Sequence, residues 1–266
     1  MTRVLLVLLT ALVATGSSAQ TMAGVTFVEE VRPFVRYIED AGFPEKMYGE
    51  GVFQYQSWDG ASAMMFGAQG DYLISPLMVV GARLGFMSWD PDAGDGESGL
   101  MDMDVFGKYL VIDGPEMKLA VGALLNLPIG TDKIFGNSTF DIEAFGALRY
   151  ALDKLVLLGN FGFRINGGYE ITIENPFGDD FTTDVDGELS ILFGGGMLYP
   201  VNENVTITGE FTFETERYDG ADGPIQLTPG IDYALASGLK LRGAMALGLS
   251  DGAPDFAFQM GAAKNF

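Results

Sequence analysis

Cysteine and histidine are both absent from the sequence. Without cysteine no disulfide framework can staple the fold and no lipid-modified N-terminal cysteine is available, so stability must rest on burial and backbone pairing. Without histidine, catalytic triads and dyads that use imidazole as the general base are excluded, and so are ordinary histidine metal sites. Past residue 20 there is also no apolar run of the ~18 residues that a membrane-spanning helix requires. The longest such run, residues 72–87, is interrupted by Pro76 and Arg83. Basic residues are scarce, with 15 Lys and Arg against 36 Asp and Glu and a formal charge of −21. That balance argues against nucleic acid and makes cations the attracted partners.

The first residues, MTRVLLVLLTALVATGSSAQ, have the parts of a secretory signal peptide. Arg3 is the basic start, Val4 to Thr15 the short apolar core, and Ser17 and Ala19 the small residues before a cut. Residues 1–19 are therefore predicted as a signal peptide, with Gln20 as the first residue of the exported chain. Removing Arg3 leaves the mature protein still more acidic. Yet the chain is 48% hydrophobic with a positive mean hydropathy. For a soluble globule these facts conflict. They agree if apolar groups face lipid on one side of every strand while charges collect in the interior and the loops.

From Met47 onward the dominant signal is period-two alternation in segments of ten to thirteen residues, separated by Gly, Asp, Asn and Pro clusters. In the segment Val205 to Glu216, Val205, Ile207, Phe211 and Phe213 share one face, and Thr206, Thr208, Glu210, Thr212 and Glu214 the other. The same split recurs in residues 140–150, 155–165 and 240–249. The pattern predicts an all-β fold, a transmembrane antiparallel up-and-down β-barrel of about twelve strands, with ten to fourteen as the range. The strands fall near residues 47–58, 62–72, 78–89, 100–111, 116–127, 139–150, 154–166, 184–199, 204–216, 225–235, 239–249 and 255–266. A soluble β-sandwich shares the short alternating strands, but these strands are long, and large apolar groups alternate along nearly all of them.

The segment PDFAFQMGAAKNF places Phe256, Phe258, Met260, Ala262 and Phe266 on one parity, with Lys264 snorkelling among them. It resembles the last strand of outer-membrane barrels, which ends in Phe and is read by the barrel-assembly machinery. Phe266 is thus the expected assembly signal, and the bacterial outer membrane, with its lipid and lipopolysaccharide, the expected surroundings. Residues 20–46 lack clean alternation and carry Pro33 and Pro44. They read as a periplasmic extension, a short helix or a plug folded into the lumen, ahead of a barrel over 47–266.

Inward parity selects the candidate lumen-lining residues. The acids are Glu50, Asp102, Asp141, Glu143, Glu188, Glu210, Glu214 and Asp232; the bases are Arg83, Lys108, Lys118, Arg149, Arg164 and Arg242. If consecutive strands are neighbours, acidic strands alternate with basic ones, as in a salt-bridged lumen. Inward carboxylates alone can run acid and base chemistry, but solvated or paired carboxylates are the ordinary content of a barrel interior, so no enzyme and no cofactor is expected. Inward Val52, Met65, Phe106, Phe145 and Leu158 are candidates for an apolar pocket. The loop DPDAGDGES spaces Asp90, Asp92, Asp95 and Glu97 around glycines in the manner of a calcium loop, though it lacks the twelve-residue EF-hand pattern. A solvated surface loop is the competing reading, and divalent cations bridging it to lipopolysaccharide phosphates would be the partner.

Three motifs, SGLMDMDVFGKYLV, LNLPIGTDK and LGLSDGAPDFAFQMGAAKNF, resemble a broad group of outer-membrane barrel transporters assigned to a phenol-degradation (MetA) pathway. The matching positions are Gly99, Leu100, Asp102, Lys108, Tyr109, Pro128, Gly130, Ala253, Pro254 and Asp255. The resemblance implies a conduit for small solutes, including apolar or aromatic ones, and carries over no substrate-binding residue. The expected function is passive diffusion of small solutes through the barrel, with cation preference if the lumen is open because acids outnumber bases. A closed structural or loop-presenting barrel is the alternative.

Overall fold

The computed structural model describes residues 39–131, 135–136, 139–173 and 181–266. The signal-peptide expectation and most of the 20–46 segment lie outside them. No helix occurs among the described residues, and none is therefore long and apolar enough to cross a membrane.

Fifteen strands follow in order: β1 (Met47–Trp58), β2 (Ala61–Ser75), β3 (Met78–Pro91), β4 (Glu97–Leu100), β5 (Met103–Asp113), β6 (Met117–Leu127), β7 (Asp141–Leu152), β8 (Leu155–Ile165), β9 (Tyr169–Ile173), β10 (Phe181–Val185), β11 (Leu189–Pro200), β12 (Val205–Glu214), β13 (Ile225–Ala234), β14 (Leu239–Gly248) and β15 (Phe256–Asn265). All strands but β4, β9 and β10 form an antiparallel cylinder, closed where β15 pairs with β1 and where β2 pairs with β3. Twelve strands make up this barrel. Closure leaves no edge of the twelve-stranded barrel unpaired, which is the condition for crossing lipid with strands.

The sequence expectation of twelve strands holds, and two local features depart from it. The expected strand 100–111 is broken: β4 and β5 both pair with β3, but Phe86 faces Leu100 whereas Arg83 faces Asp104, so the register slips by one residue at Met101 and Asp102. A slip of this kind re-aims side chains, and here it brings Met101 and Asp102 inward. The expected strand 184–199 begins instead at Leu189, because residues up to Val185 belong to a separate two-stranded ribbon of β9 and β10.

The connections are lopsided. At one end the turns are residues 76–77, 114–116, 153–154, 201–204 and 235–238. At the other, apart from the tight Asp59–Gly60 turn with Gly60 at φ +84°, the connections are longer and carry β4, β9 and β10. Short periplasmic turns and longer extracellular loops are the habit of outer-membrane barrels, so the long-loop end is taken as external. In the 153–154 turn Asp153 itself adopts φ +53°, a conformation that aspartate tolerates better than most residues.

Burial runs opposite to that of a soluble protein. Phe161, Phe163, Phe193, Leu241, Met245 and Met260 stand exposed on the outer wall, while Glu143, Glu210, Glu214 and Asp232 are buried inside. On the last strand Phe256, Phe258, Met260 and Lys264 face outward and Gln259 and Ala263 inward; the Lys264 ammonium lies 5.3 Å from the Phe266 ring centre. Two inward phenylalanines lie flat along the wall because the neighbouring strand has glycine there. A Cβ on Gly81 would collide with the Phe106 ring, and one on Gly122 with the Phe145 ring. These glycines hold both aromatics against the sheet and leave the lumen its width.

Candidate functional site

The lumen is the site, and three clusters of charge organise it. The first uses residues just ahead of the barrel. Glu39 pairs with Arg83 and lies 3.4 Å from the Lys108 ammonium; Arg149 donates to Asp40 Oδ2 at 2.5 Å, and Lys108 donates to the Asp40 carbonyl at 3.2 Å. The Asp40 Oδ1 atom accepts from the backbone N–H of Gly42 at 2.8 Å, which folds this short stretch back on itself. Ala41 packs with Leu110, Ala120 and Ala147, and Phe43 covers that cluster. Residues 39–43 thus lie inside the barrel, against β3, β5, β6 and β7. Burial works against the Glu39 charge, but Arg83 and then Lys108 outweigh it and hold the carboxyl below the ordinary carboxylate range.

The second cluster joins β7, β8 and β12. Arg164 donates to Glu143 Oε2 at 2.5 Å and to Glu214 Oε1 at 2.9 Å. Arg217, from the loop after β12, donates to both oxygens of Glu214 at 2.8 Å. Nearby, Asp141 accepts from the backbone N–H of Gly167 at 2.9 Å. The third cluster spans β13, β14 and β1. Arg242 donates to Glu50 Oε1 at 2.7 Å and to Asp232 Oδ1 at 3.2 Å, and the Tyr48 hydroxyl donates to Glu50 Oε2 at 2.7 Å. The first of these contacts reaches across β15 over Gly261, where a Cβ would stand 3.6 Å from Glu50 Oε1. Glu143 with Arg164, and Asp232 with Arg242, are direct partners in the ladder.

A cavity of about 480 Å³ runs between these clusters. Around its outer part stand Trp58, Met87, Met101, Tyr218 and Pro254; Glu39, Asp40, Asp71 and Lys108 line its inner part. A smaller cavity of about 140 Å³ adjoins it, lined by Met87, Met101, Asp102, Asp104, Phe135 and Arg164 among others. Volumes of about 300–1,000 Å³ suit small molecules. Charged side chains of both signs and apolar groups line these cavities, an arrangement suited to binding, excluding or passing solutes by charge and shape.

The candidate lining residues divide. Glu50, Arg83, Asp102, Lys108, Asp141 and Arg164 border one of the two cavities. Glu143, Arg149, Glu210, Glu214, Asp232 and Arg242 are buried on the inner face of the wall but border neither, since most serve as partners within the charge clusters. Lys118 sits at the short-turn end, 3.5 Å from Asp113. Glu188 is corrected: it has the expected parity but stands exposed, one residue before β11, because the ladder begins at Leu189. The apolar candidates also divide. Val52 and Met65 line the larger cavity, whereas Phe106 and Phe145 pack with Leu124, and Leu158 packs with Val156 and Leu198. Among the described residues no group of three or more carboxylates is placed to hold a metal ion, and Asp90, Asp92, Asp95 and Glu97 are not gathered into one. Residues 92–96 form the bent loop that joins β3 to β4, with Trp89 paired to Glu97 at its base.

Several lining residues escaped the sequence reading. Asp71 and Asp104 are inward by the same parity that found the others, and Asp104 accepts from Asn126 at 2.8 Å. Glu39 and Asp40 left no periodic signal. The motif residues Gly99, Leu100, Asp102 and Gly130 turn out to fasten a loop. Thr131 exchanges bonds with Leu100 at 2.8 and 2.9 Å, Asp102 Oδ1 accepts from the backbone N–H of Gly130 at 2.8 Å, and Phe135 is held buried against Gly99.

No family model matches the chain, and no curated protein matches it. Solved structures do. An outer membrane channel from Pseudomonas putida F1 superposes with a TM-score of 0.64 at 10% identity, covering 89% of this chain and 100% of that one. The NanC porin gives 0.54 at 11% identity, covering 83% of this chain and all of the porin. The CymD monoaromatic hydrocarbon channel gives 0.50 at 9% identity, covering 85% and 90% respectively. The chain has the fold of an integral outer-membrane β-barrel, the fold that these channels and this porin share.

Proposed function

We propose that this protein is a narrow outer-membrane channel that lets small solutes diffuse down their gradient and prefers cations to anions. The observation that carries the reading is the composition of the larger cavity: seven of its lining residues are acids and three are bases. Two of those bases, Arg83 and Lys108, are engaged by Glu39. In a low-dielectric enclosure such an excess raises the local concentration of cations and repels anions.

Residues 39–43 act as a constriction, seated by Glu39 and Asp40 on three cationic side chains of the wall. The cavity is then the accessible vestibule, and the constriction sets how readily solute passes beyond it. The motif resemblance to transporters of a phenol-degradation pathway is in keeping with this reading, as is the fold shared with channels and porins.

Proteoliposome swelling tests the proposal. Matched small cationic, neutral and anionic solutes should permeate in that order. Equal rates for cation and anion would remove the charge argument, and no swelling with any solute would favour a barrel closed by its own ion pairs.

A further inference from the structure

We infer that the larger cavity is a binding step for small amphipathic organic cations, compounds with an apolar or aryl body and a protonated amine head. The inference rests on the channel reading above and narrows its substrate class.

One side of the cavity is soft and apolar. Met65 faces Met87 directly across the β2–β3 ladder, and Met101 lies over Gly85, where a Cβ would stand 2.8 Å from its sulfur. Trp58 stands near them toward the external end, 6.4 Å from Trp89 by ring centres. Thioethers and aromatic faces adapt to an apolar body, and the aromatic face also attracts a cation. The register slip at Met101 and Asp102 is what delivers the third methionine, since an unbroken strand would alternate these two residues between the faces.

Beside the methionines, beginning at Gln54, which faces Met65 across the β1–β2 ladder, the wall is uncharged and rich in acceptors. Gln54 faces Gln259 across the β1–β15 ladder, and Gln56 and Gln226 border the same space. Gln259 is 6% exposed, and its Oε1 meets no donor. Deeper in, Glu50, Asp71 and Asp104 contribute carboxylates. A ligand that satisfies this set brings donors and positive charge at one end and an apolar body at the other. A carboxylate would bring charge of the wrong sign, and a bare ammonium would leave the methionine wall unused.

Titration of the folded full-length barrel in detergent, followed by tryptophan fluorescence and calorimetry, tests the inference. The probes are 2-phenylethylammonium, 2-phenylethanol, phenylacetate and methylammonium. The expected order places 2-phenylethylammonium first, with the alcohol weaker by about tenfold, the scale of one hydrogen bond to a charged group. Phenylacetate and methylammonium should not bind at comparable concentration. Gln259→Leu should weaken 2-phenylethylammonium by about tenfold while leaving heat-modifiable migration unchanged. Met65→Ala with Met87→Ala should weaken both aryl probes together. Equal binding of the ammonium and the carboxylate, or of methylammonium and 2-phenylethylammonium, overturns the inference. Binding by a barrel that passes no ions would reject the channel reading and leave the binding site standing; conduction without binding would do the reverse.

Discussion

Removing both carboxylates of the seated segment, as Glu39→Ala with Asp40→Ala, should open the barrel. Asp40 is 3% and Glu39 4% exposed, and between them they engage Arg83, Lys108 and Arg149. Breaking a fully buried ion pair by removing one partner costs about 3–5 kcal/mol. With the acids replaced by alanine, water is expected to reach the cations left behind, so a contribution nearer that of a single charge-assisted hydrogen bond, about 1.5 kcal/mol for each carboxylate, is the appropriate scale. Two such losses, about 3 kcal/mol together, shift the ratio of seated to released segment by about 150-fold. The apolar contacts of Ala41 and Phe43 remain, so release is a change of population rather than a loss of fold. In single-channel recordings the open fraction should rise from rare events to a large share of the trace, with unchanged heat-modifiable migration of the barrel. An open fraction and unit conductance equal to those of the unaltered protein would refute the claim that residues 39–43 constrict the pore.

Acid provides a related check. The folded Glu39 carboxyl is held below its ordinary value, so its stabilising contribution is in place above the unfolded value and is lost as pH falls through the depressed folded one. Closure by this carboxylate should therefore persist in mild acid and fail only in stronger acid, read as open fraction against pH. Arg164→Met leaves Glu143 and Glu214 buried without their shared cation and should destabilise the barrel by about 3 kcal/mol, measured by urea unfolding in lipid. Gly81→Ala drives the Phe106 ring off the wall; it should cost about 1–3 kcal/mol and lower the unit conductance by narrowing the lumen. On the lipid side, Phe161→Arg places a charge mid-strand on the outer face and should cost about 2–4 kcal/mol in the same unfolding assay.

The barrel was legible in the sequence because a wall between lipid and lumen imposes a period of two on every strand. Phe161 and Arg164, or Ile207 and Glu210, announce their faces by parity alone. Parity also located the acids and bases that meet in the ladder, such as Glu143 with Arg164. What it could not locate was anything that breaks the period. The slip at Met101 and Asp102 inserts one residue into a strand whose flanks alternate normally, and the β9–β10 ribbon alternates as well as a barrel strand does, which drew Glu188 into the expected lining. Glu39 and Asp40 lie in a stretch where charge and apolar residues mix without rhythm, and their role depends on Arg83, Lys108 and Arg149, which sit 44, 68 and 109 residues away from the acids they bind. Contacts of that separation are set by closure of the cylinder, not by local pattern.

The most direct measurement is single-channel conductance of the folded, full-length protein in a planar bilayer under a salt gradient. Discrete steps with a reversal potential of the sign for cation preference are expected from the acid excess of the cavity. Silence at every voltage, even with Glu39 and Asp40 replaced, or a reversal potential of the opposite sign, would contradict the account.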